Sequence, residues 1–210
     1  MTAASVLLLA LVAVAAVGDW LAVMAGARFV EYVLKPLTMV LLILAALELD
    51  PSSDAARGAL VVGLVLSLVG DVLLMVPADL FVPGLGAFLA AHVAYVVALW
   101  LLGVTAGGLL TGLFIVVLGG ALVGRRIVLG ARAADASLAA PVTAYLAVIS
   151  VMVVSALGVG SIFAVVGGLL FYVSDAVLGW SRFVTDFPRS RVVVMSTYHL
   201  AQVGLVLALI

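Results

Sequence analysis

The sequence predicts an all-α fold: a polytopic membrane helical bundle of about eight transmembrane helices. Composition is the first reason. Of 210 residues, 68% are hydrophobic and 9% charged, where soluble chains carry roughly 45–50% apolar and about 25% charged residues. Mean hydropathy is +1.49. The second reason is that apolar runs recur near the length of about 20 residues that spans a bilayer. The third is the absence of ten-residue alternation. Backbone groups in lipid must be bonded internally, so without barrel-type strands the spans are helices. Nothing remains for a soluble domain, and residues 1–210 read as a single integral membrane domain.

Cut at charges, Gly and Pro, the spans fall at Ala3–Met24, Tyr32–Leu47, Arg57–Val76, Pro83–Leu102, Gly107–Val123, Leu138–Leu157, Ser161–Trp180 and Arg191–Ile210. The first lacks a basic leader and is expected to be retained. Asp50-Pro51-Ser52-Ser53-Asp54 supplies turn and helix-capping chemistry before the third span. Val76-Pro77-Ala78-Asp79 ends that span, and Pro83 suits the first turn of the fourth. Arg125 to Ser137 is the longest polar stretch and is expected to connect spans five and six. The glycine pairs at 107–108, 119–120 and 167–168 suit close helix packing and lack the lysine-serine element of a phosphate loop.

Orientation follows from the basic residues. Arg28, Lys35, Arg125, Arg126, Arg132, Arg182, Arg189 and Arg191 fall at one set of connections, and only Arg57 at the other. By the positive-inside rule both termini face away from the cytoplasm. The Arg-rich, Ala/Val/Gly-rich composition suggests a bacterial protein, hence a bacterial cytoplasmic membrane. Net charge is −1 and there is no cysteine, so nucleic-acid binding, disulfides and thiolate chemistry have no support. No obligatory protein partner is evident. A faint repeat places Pro36 and Pro141 105 residues apart, Asp71 and Asp175 104, and His92 and His199 107. This suggests a 4+4 internal repeat, although chance likeness between Leu/Val-rich helices is the alternative.

A charge within a spanning helix costs about 2.5–3.5 kcal/mol on insertion scales and normally faces the bundle interior. Asp71 and Asp175 each lie one to two turns inside the cytoplasmic end of their helices. Lys35, His92, Tyr95, Tyr198, His199, Gln202 and Arg182 fall in the same half, which predicts a polar cavity opening to the cytoplasm. Each has a structural alternative. The aspartates could pair with Lys35 and Arg182 merely to fix register, His92 could bond Tyr95 or a carbonyl, and His199 could pack beside Tyr198. Glu31 and Asp19 are expected near water, and Arg191 as a topological charge. Two carboxylates and a histidine in a half-buried cavity suit acid–base chemistry. Burial favours the protonated form of one acid, while a nearby Lys or Arg holds the other ionised. No His-x-x-x-His or Glu-x-x-His pairing supports a metal among Asp71, His92, Asp175 and His199. A proton-coupled transporter of a small or lipid-like solute is the rival class, and a purely structural role the third.

Lys35-Pro36-Leu37-Thr38, Gly70-Asp71-Val72-Leu73-Leu74 with Phe81, Gly84, Phe88, His92 and Tyr95 behind it, Phe171 to Leu178 with Ser174-Asp175, and Thr197-Tyr198 with Ala201-Gln202 resemble the YhhN family of lysoplasmalogenase-like membrane proteins. The resemblance runs from the second helix to the eighth. It implies an eight-span hydrolase that cleaves the vinyl ether of a lysoplasmalogen to a fatty aldehyde and a glycerophospho-base, without a soluble cofactor. It also implies Asp71 and Asp175 as the catalytic pair. The substrate would then be a lysophospholipid drawn from the bilayer, its phosphate near Lys35 and Arg182 or His92.

Overall fold

Short polar caps start some of the helices. The Thr2 hydroxyl oxygen accepts the Ser5 N–H at 3.0 Å, satisfying a donor that the first turn leaves orphaned. From there α1 runs Ala3–Ala25 and stops at Gly26, whose φ of 69° is the left-handed conformation that glycine adopts freely. Helix α2 spans Arg28–Glu48 with Pro36 inside it. Ser53 caps α3, Asp54–Met75, by accepting the Ala56 N–H at 3.2 Å. Then follow α4, Phe81–Leu101, and α5, Ala106–Ala134. After one tight turn at Ala136–Leu138 come α6, Ala139–Val159, α7, Ile162–Phe183, and α8, Ser190–Leu207. The computed structural model describes residues 1–78 and 80–210; Asp79, assigned above to the turn after the third span, lies outside the described residues.

The expected connection from Arg125 to Ser137 is instead helical as far as Ala134. Helix α5 widens by one residue per turn over Gly120–Gly124 and resumes over Arg125–Ala134. Arg and Ala are good helix formers, and this segment is amphipathic. Ile127 and Ala131 are buried while Arg125, Arg126 and Arg132 are exposed, with the Arg126 guanidinium 5.7 Å from the Trp180 ring centroid. Charge alone did not break the helix because one face was still covered.

Among the described residues seven helices, α1 to α7, are long and apolar enough to cross a membrane. Helix α8 is less apolar because Arg191, His199 and Gln202 dilute it, yet it lies along α7 and also touches α1 and α2. Among the described residues there is no strand.

Neighbouring helices pair in the same order in each half: α1 on α2, α2 on α3 and α3 on α4, then α5 on α6, α6 on α7 and α7 on α8. The halves meet chiefly along α4 and α6. Glycine permits the closest approaches. A Cβ at Gly167 would stand 2.9 Å from the Leu205 nitrogen, and one at Gly204 2.8 Å from the Gly167 Cα, so α7 and α8 touch backbone to backbone. Gly108 similarly meets the Leu157 carbonyl of α6, and Gly119 the Tyr172 ring, whereas Gly107 and Gly120 face open space.

Candidate active site

At one end of the bundle α2, α4, α6 and α8 begin and α1, α3, α5 and α7 finish. A cavity of about 240 Å³ lies there. Helical periodicity builds its walls. Arg28, Glu31, Tyr32 and Lys35 of α2 and Arg191, Val194, Met195 and Tyr198 of α8 line it, each set spaced i, i+3, i+4, i+7 along one face. These two helices supply a largely polar wall. The opposite wall, with Phe81, Leu85 and Phe88 of α4, Ile127 of α5 and Val142 and Leu146 of α6, is apolar. Asp71 and Asp175 both line the space between.

The two aspartates have unlike partners. Asp71 is 1% exposed. Its Oδ1 lies 3.0 Å from Lys35 Nζ, and its Oδ2 accepts the Tyr198 hydroxyl at 2.7 Å. Asp175 Oδ2 accepts the Tyr145 hydroxyl and faces His92 Nε2 at 3.8 Å. His92 Nδ1 donates to the Phe88 carbonyl at 2.6 Å. In a neutral imidazole that bond fixes the proton on Nδ1, so Nε2 presents a lone pair to Asp175. The His92 ring is held edge-on by Phe171 at 4.7 Å and Tyr145 at 5.4 Å between centroids. Each aspartate is thus held by the helix before it (Lys35 from α2, Tyr145 from α6) and by the last helix of the other half (Tyr198 from α8, His92 from α4).

Of the sequence-predicted site residues, Asp71, Asp175, Lys35 and Tyr198 meet at the cavity. His92 touches Asp175 from behind, the carbonyl bond foreseen as its structural alternative being present as well. Tyr95, Gln202 and His199 do not line the cavity. The Tyr95 hydroxyl donates to Gln202 Oε1 at 2.8 Å and stands 3.0 Å from the Ser67 hydroxyl, tying α3, α4 and α8 together in the core. Gln202 is one turn deeper than Tyr198. His199 is rotated about 100° from it and accepts the Trp20 indole N–H at 3.1 Å. The Arg182 guanidinium lies 4.0 Å from the Phe81 ring centroid, not in the cavity wall. Lys35, expected at a head-group phosphate, is committed to Asp71.

Two placements expected near water are buried. Asp19 is 0% exposed and neither carboxylate oxygen has a hydrogen-bond partner among the described residues. Glu31 is buried too, its oxygens 2.6 and 2.8 Å from Arg191 Nη2. Tyr145, Glu31, Arg28 and Arg191 were not read as site residues. Only the matched i, i+7 spacing of Arg28 with Lys35 and Arg191 with Tyr198 could have flagged two of them. Tyr145 carried no signal among its Ala, Val and Leu neighbours.

A helical bundle of this apolarity, with charged side chains gathered in a cavity at one end, is an integral membrane protein. The chain belongs to the YhhN family, whose model matches residues 30–209. It is 36% identical to human lysoplasmalogenase TMEM86B over 145 residues, 69% of this chain and 60% of that protein. To a lysoplasmalogenase of Mycobacterium bovis it is 32% identical over 173 residues, 79% of this chain and 65% of the other. An uncharacterized membrane protein YhhN of Escherichia coli is 37% identical over 81 residues, 37% of this chain and 38% of that one. The chain thus spans about 60% of the length of the TMEM86B relatives it matches. No solved structure matches significantly.

Proposed function

We propose that this protein is a hydrolase that cleaves the vinyl ether bond of a lysoplasmalogen, using Asp175 as general acid and Asp71 as the ionised partner. The observation that carries this is the pair of carboxylates lining one cavity with opposite surroundings, the Asp71 side chain 2% exposed and that of Asp175 9%. Asp71 faces an ammonium, which favours a carboxylate. Asp175 faces a phenol donor and an imidazole lone pair, and a protonated carboxyl answers both. The TMEM86B and Mycobacterium bovis relatives are named lysoplasmalogenases, which supports the activity.

The steps close as a cycle. The Asp175 O–H protonates the vinyl β-carbon, and the π electrons that form the new C–H bond leave an oxocarbenium ion across the α-carbon and the ether oxygen. The Asp71 carboxylate stabilises that cation and takes a proton from the water that adds to the α-carbon, giving a hemiacetal. The hemiacetal hydroxyl then returns a proton to Asp175 while Asp71 protonates the departing glycerol oxygen. The C–O bond breaks, the fatty aldehyde and the glycerophospho-base leave, and both acids are reset. The walls agree with this assignment. The β-carbon begins the hydrocarbon chain, and the partners of Asp175 come from α4 and α6, which form the apolar wall. The partners of Asp71 come from α2 and α8, which form the polar one.

The charged end of the bundle is assigned to the cytoplasmic side by the positive-inside rule, of a bacterial cytoplasmic membrane as the composition suggests, with both termini opposite. The test is protein purified in detergent and incubated with a vinyl ether lysolipid and its ester analogue. Aldehyde from the first and no fatty acid from the second is the expected result. Ester cleavage without aldehyde would make it a lysophospholipase, and proton-dependent uptake into liposomes without turnover would make it a transporter. Against transport stands the far half of the core, where Leu42, Leu60, Leu64 and Leu99 are packed at 2% exposure or less.

A further inference from the structure

We propose that Arg28 and Arg191, the latter held in place by Glu31, form an anion subsite for the substrate's head-group phosphate; this rests on the hydrolase reading above. The cations first suited to a phosphate are otherwise engaged: Lys35 is on Asp71 at 3.0 Å and Arg182 lies over Phe81. Arg28 is exposed, lines the cavity, and has no carboxylate within ion-pair distance among the described residues. Arg191 uses one nitrogen, Nη2, on both oxygens of Glu31, and its side chain is 50% exposed, leaving Nη1 and Nε to donate elsewhere.

Charge and depth both fit a phosphodiester. Two guanidiniums against one carboxylate leave a single positive excess at the mouth, matching one phosphate negative charge. Both arginines stand in the first turn of their helices, where the helix dipole adds partial positive charge. Arg28 is seven residues outward of Lys35 on the same face of α2, about 10 Å along the axis. The glycerol backbone separates the vinyl ether from the phosphorus by only a few bonds, so with the ether at Asp71 the phosphate falls between Lys35 and the helix start, within reach of an extended arginine. Guanidinium forks suit such an anion better than a point ammonium.

The test compares an alkenyl-glycerophosphoethanolamine with the alkenylglycerol of the same chain, which lacks the phosphate, both in dodecyl maltoside. For the wild type kcat/KM favours the phosphorylated substrate. In Arg28→Gln, and in Arg191→Gln, that preference falls about tenfold or more, the scale of one lost charge-assisted hydrogen bond, mainly through KM. Arg28→Gln changes an exposed first helix residue and keeps the test usable if Arg191→Gln does not fold. A wild type that cleaves both substrates equally overturns the subsite and leaves the hydrolase standing; one that cleaves neither overturns the hydrolase and the subsite with it. A preference unchanged in both variants overturns the subsite as well. If Arg28→Gln acts only in phospholipid vesicles and not in the phosphate-free detergent, the arginine grips bilayer phosphates rather than substrate, and the proposal fails.

Discussion

Lys35 and Asp71 face each other at 3.0 Å with side chains only 9% and 2% exposed, an ion pair shielded from water at the inner end of the polar wall. Removing one partner of a buried pair leaves the other charge uncompensated, at a cost of about 3–5 kcal/mol. Lys35→Met is therefore expected to lower both the melting temperature in detergent and the activity, not substrate affinity alone. Adding Asp71→Asn to it should restore part of the stability. Strictly additive losses in the double variant would show that the two residues are not coupled.

Asp71→Asn and Asp175→Asn keep shape while removing the charge or the proton donor. Each should lower aldehyde release by about 10²–10⁴-fold, the range for a positioned acid or base, with the protein still eluting as a folded species. Substantial turnover in either variant would dismiss the two-acid cycle.

Tyr145→Phe and His92→Gln change the partners of Asp175 without touching the cavity's polar wall. Because His92 stands behind Asp175 and not at the head group, its loss should appear in kcat rather than KM. The expected size is about tenfold to a hundredfold for Tyr145, which donates a hydrogen bond to the ionisable carboxyl, and smaller for His92, whose Nε2 stands 3.8 Å from it. A change confined to KM would return His92 to the role of a substrate contact.

Gly167→Ala sets a methyl 2.9 Å from the Leu205 nitrogen and 3.0 Å from the Ala201 carbonyl oxygen. Backbone cannot swing aside as a side-chain tip can, so α7 and α8 must separate. Overpacking of this kind costs about 1–3 kcal/mol. Thermal unfolding in detergent should register it, whereas Gly120→Ala, facing open space, should not.

Single cysteines at Arg132 and Asp54 should label from opposite sides of a sealed vesicle, since they stand at opposite ends of the bundle. Labelling of both by one impermeant reagent from one side would contradict the eight-helix topology.

The sequence by itself determined the order of the helices and the end at which the charges gather, though not that α5 runs on through Arg125–Ala134. Those features follow from local properties: the length of apolar runs, caps such as Ser53, and the placement of arginines at alternate connections. It also singled out Asp71 and Asp175, because a carboxylate in an apolar helix stands out without reference to any neighbour. Contacts between helices were decided only by the tertiary structure. Whether Lys35 meets a phosphate or Asp71, whether His199 faces the cavity or Trp20, and whether Asp19 reaches water depend on rotations of about 100° per residue between packed helices. Apolar residues all round each helix leave those rotations unspecified. Tyr145 is the clearest instance. Nothing near it in the chain distinguishes it, and it becomes part of the site only because α6 lies beside α7 and turns that hydroxyl toward Asp175.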